Sequence, residues 1–105
     1  MVVDVDVTTD PPAVALEGPE DCTAFSVRVR GDRAALGRVL EATGLGRMDG
    51  DDALIGVDAI RDLAAGRVRD EWEGDFAAMC DYAEGKGWMA DEGRSIRAHV
   101  EDSST

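Results

Sequence analysis

Residues 70–87, DEWEGDFAAMCDYAEGKG, contain the pattern that decides the fold of this chain. Their apolar side chains recur at i, i+4, i+7, i+8 and i+11, the spacing of one helix face, and these are Trp72, Phe76, Met79, Cys80 and Ala83. The spacing predicts one long helix, with Asp70 as its capping residue. Because this stripe carries much of the bulky apolar surface, we expect the core to form against it.

The segment before this helix predicts one clear strand and two shorter helices. Residues 23–30, TAFSVRVR, alternate apolar and polar side chains as a half-buried strand does. Asp32 can cap a helix over residues 33–43, and Gly44 suits its end. After a predicted loop, GLGRMDGDD at residues 44–52, the apolar run 53–57 predicts a short strand. Asp58 can then cap a second helix, over residues 59–65.

The segment after the long helix predicts a hairpin. Residues 87–90 and 95–100 flank the turn DEG, and the second run alternates Ile96, Ala98 and Val100 with polar side chains. The sequence therefore predicts an α+β domain of three helices with a small antiparallel sheet over residues 13–100. We expect residues 1–12 to form a mobile acidic tail and residues 101–105 a polar tail.

From residue 32 onward the predicted order is helix, short strand, helix, helix and hairpin. This order resembles the winged helix-turn-helix superfamily, and ALIGVDAIRDLAAG, the long helix and GKGWMADEGRSIRAHV carry the resemblance. The C-terminal half also resembles a family of short acidic actinobacterial proteins that have no assigned activity. The first resemblance implies a winged-helix-like fold in which the long helix would read DNA. Here that helix is strongly acidic, through Asp70, Glu71, Glu73, Asp75, Asp81 and Glu84.

Charge and composition narrow the classes of function. The net charge is −12, from 23 acidic and 11 basic residues, which opposes binding to nucleic acid and to anionic membranes. It favours a basic protein partner or a cationic ligand. No run of 18 apolar residues occurs and the first ten residues lack the features of a secretory signal, so we expect a cytoplasmic protein.

Searches for chemical motifs leave few candidates. Cys22 and Cys80 are 58 positions apart without a CxxC pair, so the sequence predicts no metal site and no cofactor. An EF-hand loop beginning at Asp49 lacks its glycine and its final glutamate. An acyl-carrier site at the same loop would need a serine where Ala53 stands. The sequence predicts no catalytic residues.

One group of residues suggests a binding site. Arg28 and Arg30 face outward from one predicted strand, and Arg97 and His99 face outward from another. If the two strands share a sheet, the four side chains form a basic patch for an anionic ligand or an acidic partner segment. The alternative is that these arginines pair with acids of the same surface.

The two tryptophans flank the long helix, and we expect both to lie in or near the core. An exposed pair would instead mark a protein-binding surface. We expect a non-enzymatic protein-interaction or regulatory module whose partner is a protein, with a second copy of the chain as one candidate. The alternatives are a small ligand-binding accessory protein or enzyme of a metabolic pathway, and an acidic mimic of nucleic acid.

Overall fold

A computed structural model describes residues 1–102 of the chain, and within them it contains three helices and seven strands. The helices are α1 (Arg33–Ala42), α2 (Val57–Ala64) and α3 (Trp72–Gly85). The strands are β1 (Val2–Asp6), β2 (Ala13–Glu17), β3 (Ser26–Arg30), β4 (Gly46–Asp49), β5 (Asp52–Gly56), β6 (Met89–Ala90) and β7 (Ser95–Asp102). The predicted α+β class and the three helices are confirmed.

The strands form one mixed sheet in the order β2-β1-β3-β7-β5-β4, and β6 also pairs with β7. β1, β3 and β7 run parallel to one another, whereas the other pairs are antiparallel. The prediction of a small antiparallel sheet is therefore wrong. The sheet is larger because β1 and β4 join it, and it is mixed because β1, β3 and β7 run parallel.

The predicted mobile tail over residues 1–12 is wrong for the stretch that forms β1. This strand lies between β2 and β3, and its Val3 and Val5 are fully buried. Asp4 and Asp6 favour a solvent-exposed tail when the sequence is considered alone. In the structure they alternate with the valines and therefore face the opposite side of the sheet. The predicted polar tail over residues 101–105 is wrong for Glu101 and Asp102, which belong to β7, and residues 103–105 lie outside the described residues.

All three helices cover one face of the sheet, which is the core face. The odd-numbered valines of β1 and β3 and the apolar residues Ile96, Ala98 and Val100 of β7 form one buried cluster. Side chains of each helix belong to the same cluster, including Leu36, Leu40, Ile60, Trp72 and Phe76. We call the other side the open face. Its alternating positions are mostly charged, so the period-two pattern separates an apolar interior from a polar surface.

The long helix packs as its apolar stripe predicts. Trp72, Phe76, Met79 and Ala83 are buried, and the Trp72 and Phe76 rings stack with their centroids 4.7 Å apart. The Trp72 indole N–H also donates to the carbonyl oxygen of Pro19. The helix begins after Glu71 without a side-chain cap, so Asp70 is not the capping residue.

The other helices show which capping predictions hold. Asp32 does cap α1, because its carboxylate accepts the backbone N–H of Ala34 at 2.9 Å. Asp58 is not the cap of α2, which begins at Val57 directly after β5.

The prediction of a loop over residues 44–52 is wrong, since β4 and β5 pair around a turn at Gly50. No helix within residues 1–102 has the length and apolar character that crossing a membrane requires.

Candidate functional site

A gap in the sheet lies beside a cleft on the described surface. β3 pairs with β7 at residues 99–102, whereas β6 pairs with it at residues 95–96. β5 occupies the opposite edge of β7 along residues 95–99, so β3 and β6 share one edge. Arg97 and Ala98 therefore lie between the two strands. We call the resulting opening, with a volume of about 280 Å³, the gap cleft.

Five parts of the chain form the walls of the gap cleft. They are the segment before β3, helix α3, the residue before β6, strand β5 and strand β7. In that order they contribute Thr23, Ala24 and Phe25; Met79, Tyr82 and Ala83; Trp88; Asp52; and Ile96, Arg97 and His99. The interior side is apolar where α3 and the core side of β7 meet. On the open-face side, Asp52 contributes a carboxylate, Arg97 a guanidinium and His99 an imidazole. The cleft therefore combines an apolar wall with polar and charged groups.

Two exposed aromatic side chains form the rim of the gap cleft. Tyr82 is 61% exposed and Trp88 is 44% exposed, and their rings meet edge to face with the centroids 6.1 Å apart. After α3 the chain turns at Gly87, where φ is 77°, and the N–H of Trp88 donates to the carbonyl of Ala83 at 2.9 Å. This turn brings Trp88 back beside Tyr82.

The expected burial of both tryptophans is therefore right for one of them only. Trp72 is 4% exposed, whereas Trp88 lies at the cleft rim. The carbonyl of Trp88 accepts the N–H of Arg97 at 2.7 Å, which holds the residue at the sheet edge. The register of β6 and β7 places Trp88 opposite Arg97, so the Trp88 side chain lies on the open face of the sheet. It therefore does not close the seam between α3 and the hairpin.

The four residues predicted to form a basic patch do share the open face. Ser26 pairs with His99 in register, so Arg28 and Arg30 continue along β3 from the position beside His99. Arg97 precedes His99 by two residues on β7 and points to the same side. The premise that the two strands are neighbours is met, and the binding role of the patch stays a prediction.

Carboxylates of the same surface engage each arginine of this group. The Arg97 guanidinium lies 2.5 Å from Asp49 and 3.3 Å from Asp52, and the hydrogen bonds to these carboxylates raise its pKa further. On the other side of His99, Arg28 lies 3.0 Å from Glu17. These ion pairs agree with the alternative that the arginines balance acids of their own surface.

Asp4 is the acidic centre of the second ion-pair group. The Nε of Arg30 donates to both of its carboxylate oxygens at 3.0 Å, and Arg28 approaches at 3.6 Å. The hydrogen bonds from Arg30 hold the pKa of Asp4 below its ordinary value of 3.8, against a raising effect of burial. Arg28 and Arg30 are therefore both paired with carboxylates on the open face of the sheet.

The histidine and the two cysteines differ in their relation to the gap cleft. His99 is exposed and lines the cleft mouth. Cys22 and Cys80 are free and half-buried against the core, and burial raises the pKa of each thiol. No group of three His, Cys, Asp or Glu side chains in residues 1–102 is arranged to hold a metal ion.

Sequence reasoning missed the main feature of the cleft, its aromatic rim. Tyr82 had a detectable signal, because it lies off the apolar stripe of α3 and is therefore an aromatic residue on a polar helix face. Trp88 had no such signal, since its exposure depends on a gap that only the strand pairing creates.

No family model, no curated protein and no solved structure matches this chain.

Proposed function

We propose that the chain is a non-enzymatic protein-interaction module that docks its partner over the rim of the gap cleft. The supporting observation is the exposed pair Tyr82 and Trp88, which are the large hydrophobic side chains exposed on the described surface. Tyrosine and tryptophan are enriched at the energetic centres of protein interfaces, because they bury a large area with little loss of side-chain freedom. A cleft beside them gives a partner side chain a place to insert.

Affinity capture with matched variants tests this proposal. The immobilised full chain, the double variant Tyr82→Ala/Trp88→Ala and the control variant Glu41→Gln are each exposed to lysate of the native host. Retained proteins are identified, and binding of each is then measured with the purified protein. We expect a partner that the chain and the control bind and that the double variant binds at least tenfold more weakly, a loss of about 1.4 kcal/mol or more.

Two results would contradict the proposal. One is a purified partner that binds the double variant as tightly as the unchanged chain. The other is the absence of any retained protein that binds directly once purified. The fold of the double variant is checked through the stacked Trp72 and Phe76, whose near-ultraviolet circular dichroism should persist because both rings are buried in α3.

A small-ligand-binding accessory protein is the second candidate. The gap cleft of about 280 Å³ supports it, since ligand sites combine an apolar wall with a few convergent polar groups and begin near this size. Saturable protection of the rim from solvent by a metabolite extract freed of protein would favour this candidate. Dependence on a protein fraction would favour the first.

We also propose a winged-helix-like relationship for the part of the chain from α1 onward. The helices α1 to α3 and the local strand order β5-β7-β6 support it. Residues 65–71 form a connection longer than the usual three- or four-residue turn between such helices. An interhelical angle for α2 and α3 far from about 90–120° in a crystal structure would contradict this relationship. We propose in addition that the chain is cytoplasmic and that it self-associates. Cell fractionation tests the location, and analytical sedimentation tests the self-association.

A further inference from the structure

The rim of the gap cleft exposes aromatic surface of the kind that attracts cations. The Tyr82 and Trp88 rings meet at 67°, so they present differently oriented faces and edges to the same opening. A cation within about 6 Å of a ring centroid is attracted by the negative charge of the ring face. The chain already makes one such contact, since the Lys86 ammonium lies 5.5 Å from the Tyr82 centroid.

Two carboxylates and one guanidinium form a charged group at the open-face side of the cleft. Asp52 lines the cleft, and together with Asp49 it holds Arg97. Two carboxylates against one guanidinium leave this group with a net negative charge. Along α3, Asp81 and Glu84 are one and two residues from Tyr82 and do not share its helix face, so Lys86, four residues on, is the α3 charge beside that ring. The whole chain, at −12, adds a long-range field that draws cations toward it.

From these contacts we propose that the gap cleft binds the charged end of a lysine or arginine side chain from a protein partner. The ammonium or guanidinium lies between the aromatic rim and Asp52, and it displaces Lys86 from Tyr82. The aliphatic stem lies along the apolar wall at Met79 and Phe25. This inference rests on the proposed protein-interaction function, because it assigns the side chain that the partner inserts.

Titration of the full, isotope-labelled chain by NMR tests the ligand class directly. The probes are N-acetyl-lysine amide and N-acetyl-arginine amide. Their matched controls are N-acetyl-norleucine amide, which is apolar, and N-acetyl-glutamate amide, which is anionic. We expect saturable shifts at residues 23–25 and at the Trp88 indole N–H for the two cations, with dissociation constants of about 1–10 mM for such small probes. Added salt should weaken this binding.

Three variants separate the parts of the cleft. Trp88→Ala should weaken the binding of the cationic probes about tenfold, as the loss of a partly desolvated cation–π contact implies. Asp52→Asn should weaken it several-fold, because it removes a carboxylate and leaves more of the Arg97 charge unbalanced. The control variant Glu41→Gln removes the same unit of charge at an exposed position of α1. Its binding of the cationic probes should equal that of the unchanged chain.

Three results would overturn the inference. Equal binding of norleucine amide would make the cleft a purely apolar site, and preferred binding of glutamate amide would make Arg97 and His99 an anion site. Failure of every probe to shift the cleft resonances would show that it takes no side chain of this size. If cationic probes fail while a protein partner still depends on Tyr82 and Trp88, the proposed function stands without this inference. If cationic probes bind and no protein partner exists, the cleft chemistry stands and the proposed function fails.

Discussion

Replacing Asp4 with asparagine tests whether the open-face arginines have a structural role. The Asp4 side chain is only 7% exposed, and Arg30 contacts it through Nε at 3.0 Å and through Nη2 at 2.9 Å. Arg28 approaches from the same strand at 3.6 Å. Asparagine keeps the size of the side chain, but it loses the charge and presents an amide N–H₂ group to one of the two guanidinium groups.

The burial of the partners sets the magnitude of the effect. Breaking a fully buried ion pair costs about 3–5 kcal/mol, and a hydrogen bond to a charged group contributes about 1.5–3 kcal/mol. The side chains of Arg28 and Arg30 are 28% and 46% exposed, so water solvates them once Asp4 is neutral. Glu17 also stays with Arg28 at 3.0 Å. We therefore expect Asp4→Asn to lower the free energy of unfolding by about 2 kcal/mol.

Urea denaturation followed by tryptophan fluorescence measures this loss. With a slope of about 1.5 kcal/mol per M, the midpoint should fall by about 1.3 M. Because the folded-state pKa of Asp4 lies below the unfolded one, its stabilisation is present above about pH 4 and disappears as the pH falls through the folded value. The variant should therefore lose less stability than the unchanged chain on acidification.

The matched control for this prediction is Glu41→Gln, an exposed position on α1, which should keep the midpoint of the unchanged chain. Asp4→Asn with an unchanged midpoint and an unchanged acid dependence would refute the reasoning. Arg28 and Arg30 would then be available to a ligand, as the predicted basic patch requires. Alanine at Arg28, Arg30 and Arg97 together should in that case abolish binding of an anionic ligand.

Three further predictions follow from glycine and tryptophan positions. Gly46→Ala would place a Cβ 1.9 Å from the carbonyl oxygen of Leu54, so it should destabilise the protein by about 3 kcal/mol or more in urea, and an unchanged midpoint would contradict this packing. A Cβ at Gly74 in α3 meets no atom within 4 Å, so Gly74→Ala should stabilise by about 0.5 kcal/mol, and a loss of stability would count against the helix there. Trp88→Phe should shift the fluorescence emission to shorter wavelength because it leaves only buried Trp72, and Trp72→Phe should shift it to longer wavelength; coincident maxima would contradict the different burial of the two rings.

Local sequence patterns predicted the elements whose stability is local. The α3 stripe identified its own buried face, and the alternation in β3 identified its buried valines. Asp32 identified the start of α1 because a capping carboxylate needs only the next two residues. These predictions succeed because the spacing of side chains along one helix or strand determines which of them can face the core together.

Long-range pairing explains the predictions that failed. β1 is stabilised by hydrogen bonds to β2 and β3, and the latter is about 24 residues away in the register Val2 to Ser26. Its aspartates face outward, and Asp4 is acceptable only because Arg28 and Arg30 arrive from a distant strand. β4 likewise looked like a loop, since its polar sequence forms a strand only opposite β5. No local spacing contains this information.

The candidate site shows the same division between local and long-range effects. The sequence placed Arg97 and His99 on the outward side of a hairpin strand, which the register confirms. The gap cleft depends instead on β6 having only two residues, so that β3 and β6 leave part of one β7 edge uncovered. The Trp88 carbonyl already accepts the N–H of Arg97, so a β6 that continued to residue 87 would also pair with Ala98 and would narrow the opening toward Phe25. The short strand is therefore the feature that turns an ordinary sheet edge into the gap cleft, and the exposed tryptophan beside it follows from the same interruption.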